Sequence, residues 1–120
     1  MFKRLGVSIP PSTIEVWFHD VADLMRPTYY RLMELILSTD YIQSDETTVP
    51  IIDNEKHRTV KGYLWLVRSM VNGLVFFAYN EGSRGAGVVL QLFKDFQGAI
   101  QTDGYAGYNI LEKQEGITTL

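Results

Sequence analysis

Apolar side chains near the start of the chain recur at spacings of three and four residues, the period of an amphipathic helix. The apolar stripe comprises Ile14, Trp17, Phe18, Val21, Leu24, Met25, Tyr29, Leu32, Met33, Leu35 and Ile36. Ser12 and Glu15 fit a capping box, in which each side chain accepts the other residue's backbone N–H. Pro27 predicts a break or kink because proline removes a helical hydrogen bond. We predict an N-terminal helical segment over residues 1–38.

Short runs rich in β-branched and aromatic residues follow, and these are typical of strands. Residues 41–52 predict one strand, and residues 62–70 predict another that is apolar on both faces. Asn72-Gly73 between apolar runs is the strongest short-range signal of a hairpin turn. Residues 74–79 would form the returning strand. The three strands predict an antiparallel meander.

A helix and a further strand come next. Residues 84–97 carry an apolar stripe at helical spacing, with Ser83 as a possible cap and Gly98 where a C-terminal glycine belongs. Residues 99–102 predict a short strand that a right-handed crossover can place parallel to an earlier one. Residues 105–113 predict the opening of another helix.

The predicted fold class is α/β, more closely an α+β mixed sheet, over residues 39–120. We expect the strand of residues 41–52 at its centre, with residues 62–70 antiparallel on one side and residues 99–102 parallel on the other. We expect any strand outside residues 99–102 to come from beyond this chain.

Composition limits the function classes. The 120 residues are 46% apolar and contain no cysteine, which excludes disulfides, zinc ribbons, iron–sulfur clusters and thiol catalysis. Eleven basic against fourteen acidic residues give a net charge of −3, which argues mildly against a domain that binds nucleic acid by itself. No apolar run approaches the ~20 residues of a membrane helix, and the N-terminus lacks a signal-peptide pattern. We expect a soluble cytoplasmic protein.

Asp45 and Asp103 are the most informative polar residues. Asp45 interrupts a predicted strand, where aspartate is disfavoured, and Asp103 ends the strand after the helix. Two carboxylates on neighbouring strands repel each other unless a positive charge lies between them. Magnesium or manganese would supply that charge, since both prefer oxygen ligands. The alternative is an exposed polar residue at Asp45 and a turn former at Asp103.

Other candidate residues carry weaker signals. His19 and His57 lack partners at ligand spacing, and there is no nucleophile elbow. The glycine-rich residues 82–87 precede a helix, whose N-terminus could bind an anion. They match neither known phosphate-loop pattern, so an ordinary strand-to-helix turn is favoured.

Four motifs resemble the catalytic domain of bacterial transposases of the insertion sequence 66 family. They are Ser44-Asp45-Glu46-Thr47, Gly62-Tyr63-Leu64-Trp65, Ser83-Arg84 and Gln101-Thr102-Asp103-Gly104-Tyr105-Ala106-Gly107-Tyr108. The last motif is specific, and the four occur in the family's order. The resemblance implies a DDE transposase with a ribonuclease-H-like core, which would be incomplete here. Asp45 would match the first catalytic aspartate and Asp103 the second.

The resemblance also implies magnesium or manganese as the cofactor and transposon DNA as the partner. Two-metal phosphoryl transfer uses one ion to activate the nucleophile and another to stabilise the leaving oxygen. Glu46 is expected on the face opposite Asp45, because strand side chains alternate. The family's third carboxylate lies far downstream, and Glu112 and Glu115 come too early for that role. We therefore expect a fragment that is inactive alone.

Two readings compete with the transposase fragment: a non-catalytic dimerisation or regulatory module derived from a transposase, and an unrelated metal-dependent nuclease, which residues 101–108 disfavour. An unpaired sheet edge and uncovered apolar helix surface favour self-association. We therefore expect a homo-oligomer, specifically a homodimer in which the helices of residues 12–37 cover the exposed core.

Overall fold

The computed structural model describes residue 6 and residues 8–53, 58–82 and 84–120. The chain divides into two compact units, Met1–Arg31 and Leu32–Leu120. His57 and Ser83 lie outside the described residues, so the structure says nothing of their expected roles. No helix in the described ranges is both long and apolar enough to cross a membrane.

Helix α1 runs over Pro11–Leu37, close to the predicted segment. It continues through Pro27, so the predicted break does not occur. Arg26 and Asp23, in the helical turn that precedes Pro27, form an ion pair. The apolar stripe forms as predicted, but all of its members in the first unit except the half-buried Tyr29 are exposed: Ile14, Trp17, Phe18, Val21, Leu24 and Met25.

The sheet has the predicted centre. Its strands are β1 (Tyr41–Asp53), β2 (Arg58–Ser69), β3 (Val75–Glu81), β4 (Gly98–Gln101) and β5 (Ile117–Thr119), in the spatial order β3-β2-β1-β4-β5. β1 pairs antiparallel with β2 and parallel with β4, and β2 pairs antiparallel with β3. The meander and the parallel crossover are therefore confirmed.

One topological expectation is wrong. β5 pairs parallel with β4, so the neighbour expected from outside the chain lies within it. Only three residues long, β5 follows a turn at Gly116, whose φ of 88° suits glycine. Its pattern was too short to separate from a loop. The edge of β4 is thus covered, which removes one of the two reasons for expecting self-association.

The helices on the sheet are shorter than predicted. α2 spans Ala86–Leu92, with Gly85 at its N-cap, and a turn replaces the expected continuation to residue 97. Residues Ala106–Lys113 form a 3-10 helix, here η1. Its Tyr108 packs edge-to-face on Trp65 of β2, with ring centroids 5.8 Å apart. The core consists of Ile36, Ile42, Trp65, Val67, Phe76, Val89, Leu92, Phe93, Phe96, Ile100, Tyr108 and Leu111.

Candidate functional site

The parallel pairing of β1 with β4 positions the two candidate aspartates. Gln43 is opposite Gln101, and each aspartate follows its glutamine by two residues in the chain. The Gln43 side chain donates a hydrogen bond to Oε1 of Gln101 over 2.8 Å. Asp45 continues along β1, paired with Leu66 of β2, whereas β4 ends at Gln101 and Asp103 lies in the turn beyond it.

Asp45 lies on the open face of the sheet. It is exposed and lines a shallow cavity of about 220 Å³ with Gln43, Leu66 and Gln101, among others. Asp103 is also exposed, and its Oδ1 accepts the backbone N–H of Tyr105 over 2.9 Å. That bond forms an Asx turn, which Gly104 completes with a φ of 83°.

Glu46 points to the covered face, as strand alternation predicts. Its side chain is only 4% exposed, and its Oε1 lies 3.7 Å from Nη1 of Arg84. Its Oε2 is buried without a hydrogen-bond partner in the described structure. Burial, and secondly the charge of Asp103, raises the pKa of Glu46, against the opposing effects of Tyr108 and Arg84. The structure therefore brings Asp103 within electrostatic range of Glu46.

Two tyrosines of the motif at residues 101–108, Tyr105 and Tyr108, lie near Ser44 and Arg84. The hydroxyls of Tyr108 and Ser44 form a buried hydrogen bond of 2.9 Å. Burial is the main cause that raises the pKa of Tyr108 above its ordinary value of 10.0. The Tyr105 ring lies edge-to-face with Tyr108 at 6.3 Å, and the Arg84 guanidinium carbon lies 4.3 Å from the Tyr105 centroid. The Tyr105 ring lies against Gly107, and a Cβ at position 107 would overlap that ring.

The donor set at this edge suits a hard cation. Asp45 offers an exposed carboxylate, and Asp103 keeps one oxygen beyond that bonded to Tyr105. Such oxygens are the ligands of magnesium and manganese. However, no group of three acidic, histidine or cysteine side chains within ligand distance occurs in the described ranges. Asp45 and Asp103 could therefore supply only part of the coordination of such a cation.

Sequence reasoning missed the contacts of Arg84 with Glu46 and Tyr105 and the hydrogen bond between Tyr108 and Ser44. The motifs that contain these residues are visible in the sequence, but no local spacing joins Arg84 to Glu46. Glu112, excluded earlier as a third carboxylate, lies 3.4 Å from the Thr119 hydroxyl, which donates to it.

The chain is thus an α+β protein with a mixed five-stranded sheet. The central strand β1 carries the adjacent acidic residues Asp45 and Glu46. A sequence profile of the Transposase IS66 family matches residues 1–120, so the chain belongs to that family. The resemblance found from the motifs is thereby confirmed.

Two similar proteins come from Sinorhizobium fredii (strain NBRC 101917 / NGR234), and both are described as uncharacterized. The protein y4jD is 29% identical over 97% of this chain and 24% of its own length. The protein y4qI is 25% identical over 98% of this chain and 23% of its own length. The chain thus spans about a quarter of each relative.

Proposed function

We propose that this chain is part of a DDE transposase that cleaves and transfers DNA strands with a divalent metal. The observation that carries the proposal is the parallel register of β1 and β4, which puts Asp45 and Asp103 two residues beyond a paired Gln43 and Gln101. Family membership supports a role in transposition. A ribonuclease-H-like core agrees with the strand order, and a cytoplasmic location with access to DNA follows from this role.

In this proposal Asp45 and Asp103 hold magnesium or manganese. A bound ion would supply the positive charge that activates the attacking oxygen or stabilises the leaving oxygen. Asp45 would contribute from the rigid centre of the sheet and Asp103 from a turn fixed by the Tyr105 N–H. DNA phosphates would complete the coordination, since magnesium is usually bound by few carboxylates.

The same geometry predicts weak metal binding by the chain alone. Two-metal catalysis fixes ions about 3.5–4 Å apart through several carboxylates. Asp45 and Asp103 supply two, while the Glu46 carboxylate lies on the other face beside Arg84. We expect millimolar or undetectable binding and no strand cleavage.

Titration with Mn²⁺ while recording amide NMR spectra tests the proposed site. Paramagnetic broadening should begin around Asp45 and Asp103 and should disappear in Asp45→Asn and in Asp103→Asn. Asp95→Asn is the matched control, because Asp95 is an exposed carboxylate just beyond the C-terminal end of α2. Broadening that persists in Asp45→Asn and Asp103→Asn would refute the site, as would DNA cleavage that survives Asp103→Asn.

A second candidate function is a dimerisation or regulatory module. The exposed apolar stripe of α1 favours it, because large exposed apolar patches mark interaction sites. Self-association through α1 is compatible with either function. Detectable metal binding at Asp45 and Asp103 would favour the transposase function, since a purely regulatory module needs none.

A further inference from the structure

Arg84 differs from an ordinary surface arginine because its position is fixed from two sides. Its side chain is 46% exposed, yet Nη1 lies 3.7 Å from Glu46 and the guanidinium carbon lies 4.3 Å from the Tyr105 centroid. The Tyr63 ring approaches the same carbon at 5.9 Å. At 3.7 Å the ion pair is longer than a hydrogen bond. The guanidinium is thus oriented by Glu46 and Tyr105, and its exposed part can donate to an outside acceptor.

Glu46 is a costly residue to place where it lies. A buried carboxylate is unfavourable unless it is paired and hydrogen-bonded. The Glu46 side chain is 4% exposed, and its Oε2 has no hydrogen-bond partner in the part of the chain described. Holding the Arg84 guanidinium is a role that its contacts do supply.

The surrounding charges indicate what Arg84 would bind. Asp45 and Glu46 are consecutive residues of β1, and Asp103 follows the end of the paired strand β4, so three carboxylates lie at this end of the sheet. An approaching phosphate meets the same negative field. A cation on the protein would therefore have to offset it, in addition to any metal ion. Arg84 is a half-exposed cation beside this cluster.

We propose that Arg84 is a substrate-positioning residue whose guanidinium binds a DNA phosphate next to Asp103, oriented by Glu46 and Tyr105. The inference rests on the proposed function, because it takes DNA as the substrate. Arginine suits the role better than lysine, since its planar fork matches two phosphate oxygens and stacks on an aromatic ring. The binding group is the side chain and not the short helix α2.

The test measures binding of a fluorescent DNA duplex of arbitrary sequence at several low salt concentrations. Arg84→Gln should weaken binding about tenfold, the effect of losing ~1.4 kcal/mol. It should also lower the slope of log affinity against log salt by about 0.9, the loss of one phosphate contact. Arg84→Lys should keep most of the salt slope but bind more weakly than wild type. Glu46→Gln should cost less affinity than Arg84→Gln, because it frees the guanidinium without removing it and also removes a negative charge that opposes the phosphate.

Lys94→Gln is the matched control. It also removes one positive charge, from an exposed lysine that pairs with Asp95 at 3.9 Å beyond the other end of α2. Its affinity and salt slope should equal those of wild type. Circular dichroism verifies that each variant is folded. Equal effects of Arg84→Gln and Lys94→Gln would overturn the inference, as would wild-type protein that binds no DNA.

The Mn²⁺ titration separates this inference from the proposed function. Arg84→Gln should not weaken Mn²⁺ binding, since Arg84 adds no ligand. Loss of the Mn²⁺ site with a retained Arg84 effect on DNA would refute the catalytic proposal alone. An intact Mn²⁺ site without an Arg84 effect would refute the phosphate contact alone.

Discussion

Glu46 of the central strand and Arg84 before α2 form an ion pair of unequal exposure. The carboxylate side chain is 4% exposed and the guanidinium 46%, with 3.7 Å between Oε1 and Nη1. A pair of this kind is a weak source of stability, because desolvating the carboxylate offsets the attraction. It does fix where the exposed partner lies, and that has consequences for stability and for binding.

Substituting the two partners should give unequal effects on the free energy of unfolding. Arg84→Gln leaves the buried carboxylate without its cation and should destabilise the fold by about 1–2 kcal/mol. Glu46→Gln removes the buried charge and should change the stability by less than ~1 kcal/mol. The double variant should resemble Glu46→Gln, which urea unfolding in a double-mutant cycle would measure. Additive effects would contradict the pairing.

Tyr108 should make the fold sensitive to alkaline pH. Burial raises its pKa in the folded protein above 10.0, so the folded state keeps a proton that the unfolded state loses. The stability linked to this group is therefore complete below pH ~10 and falls as pH rises further, at up to about 1.4 kcal/mol per pH unit. Urea unfolding at a series of pH values should show a smaller decline for Tyr108→Phe. The stability of Tyr79→Phe, a control at an exposed tyrosine, should decline with pH as steeply as that of wild type.

Gly98 should tolerate no side chain, whereas Gly87 should accept one. Gly98 starts β4 at a φ of 139°, and a Cβ there would overlap the backbone of Asp40. Gly98→Ala should therefore destabilise the protein by about 2 kcal/mol or more. Gly87 lies inside α2 with open space around it, so Gly87→Ala should stabilise by about 0.5–1 kcal/mol. Thermal unfolding of the two variants measures the difference in stability. Equal effects would contradict the backbone geometry at the start of β4.

The apolar stripe of α1 should drive self-association. Trp17 is 52% and Leu24 78% exposed, and burying such side chains against a second copy is favourable by ~1.5–3 kcal/mol each. We expect light scattering to report a dimer that Trp17→Glu and Leu24→Glu convert to monomer. His19→Glu, which adds the same charge at an exposed polar position, should remain dimeric. A wild-type monomer at high concentration would rule the dimer out.

The amino-acid sequence by itself determined most elements of this fold. The period of three and four in α1, the β-branched runs and the Asn72-Gly73 turn are signals between near neighbours, and each element formed where they predicted it. The parallel placement of β4 also followed, because a helix between strands permits a crossover. Alternation placed Glu46 opposite Asp45 for the same local reason.

Only the tertiary structure decided which residues meet. β5 is too short for its pattern to identify, and the sheet edge that it completes became visible only through its pairing with β4. The contact of Glu46 with Arg84 joins residues on separate elements, and no periodicity encodes it. Which face of β1 is covered depends on where α2 and η1 pack, and that packing is a property of the whole sheet. It leaves Asp45 exposed and buries the Glu46 side chain one residue further on.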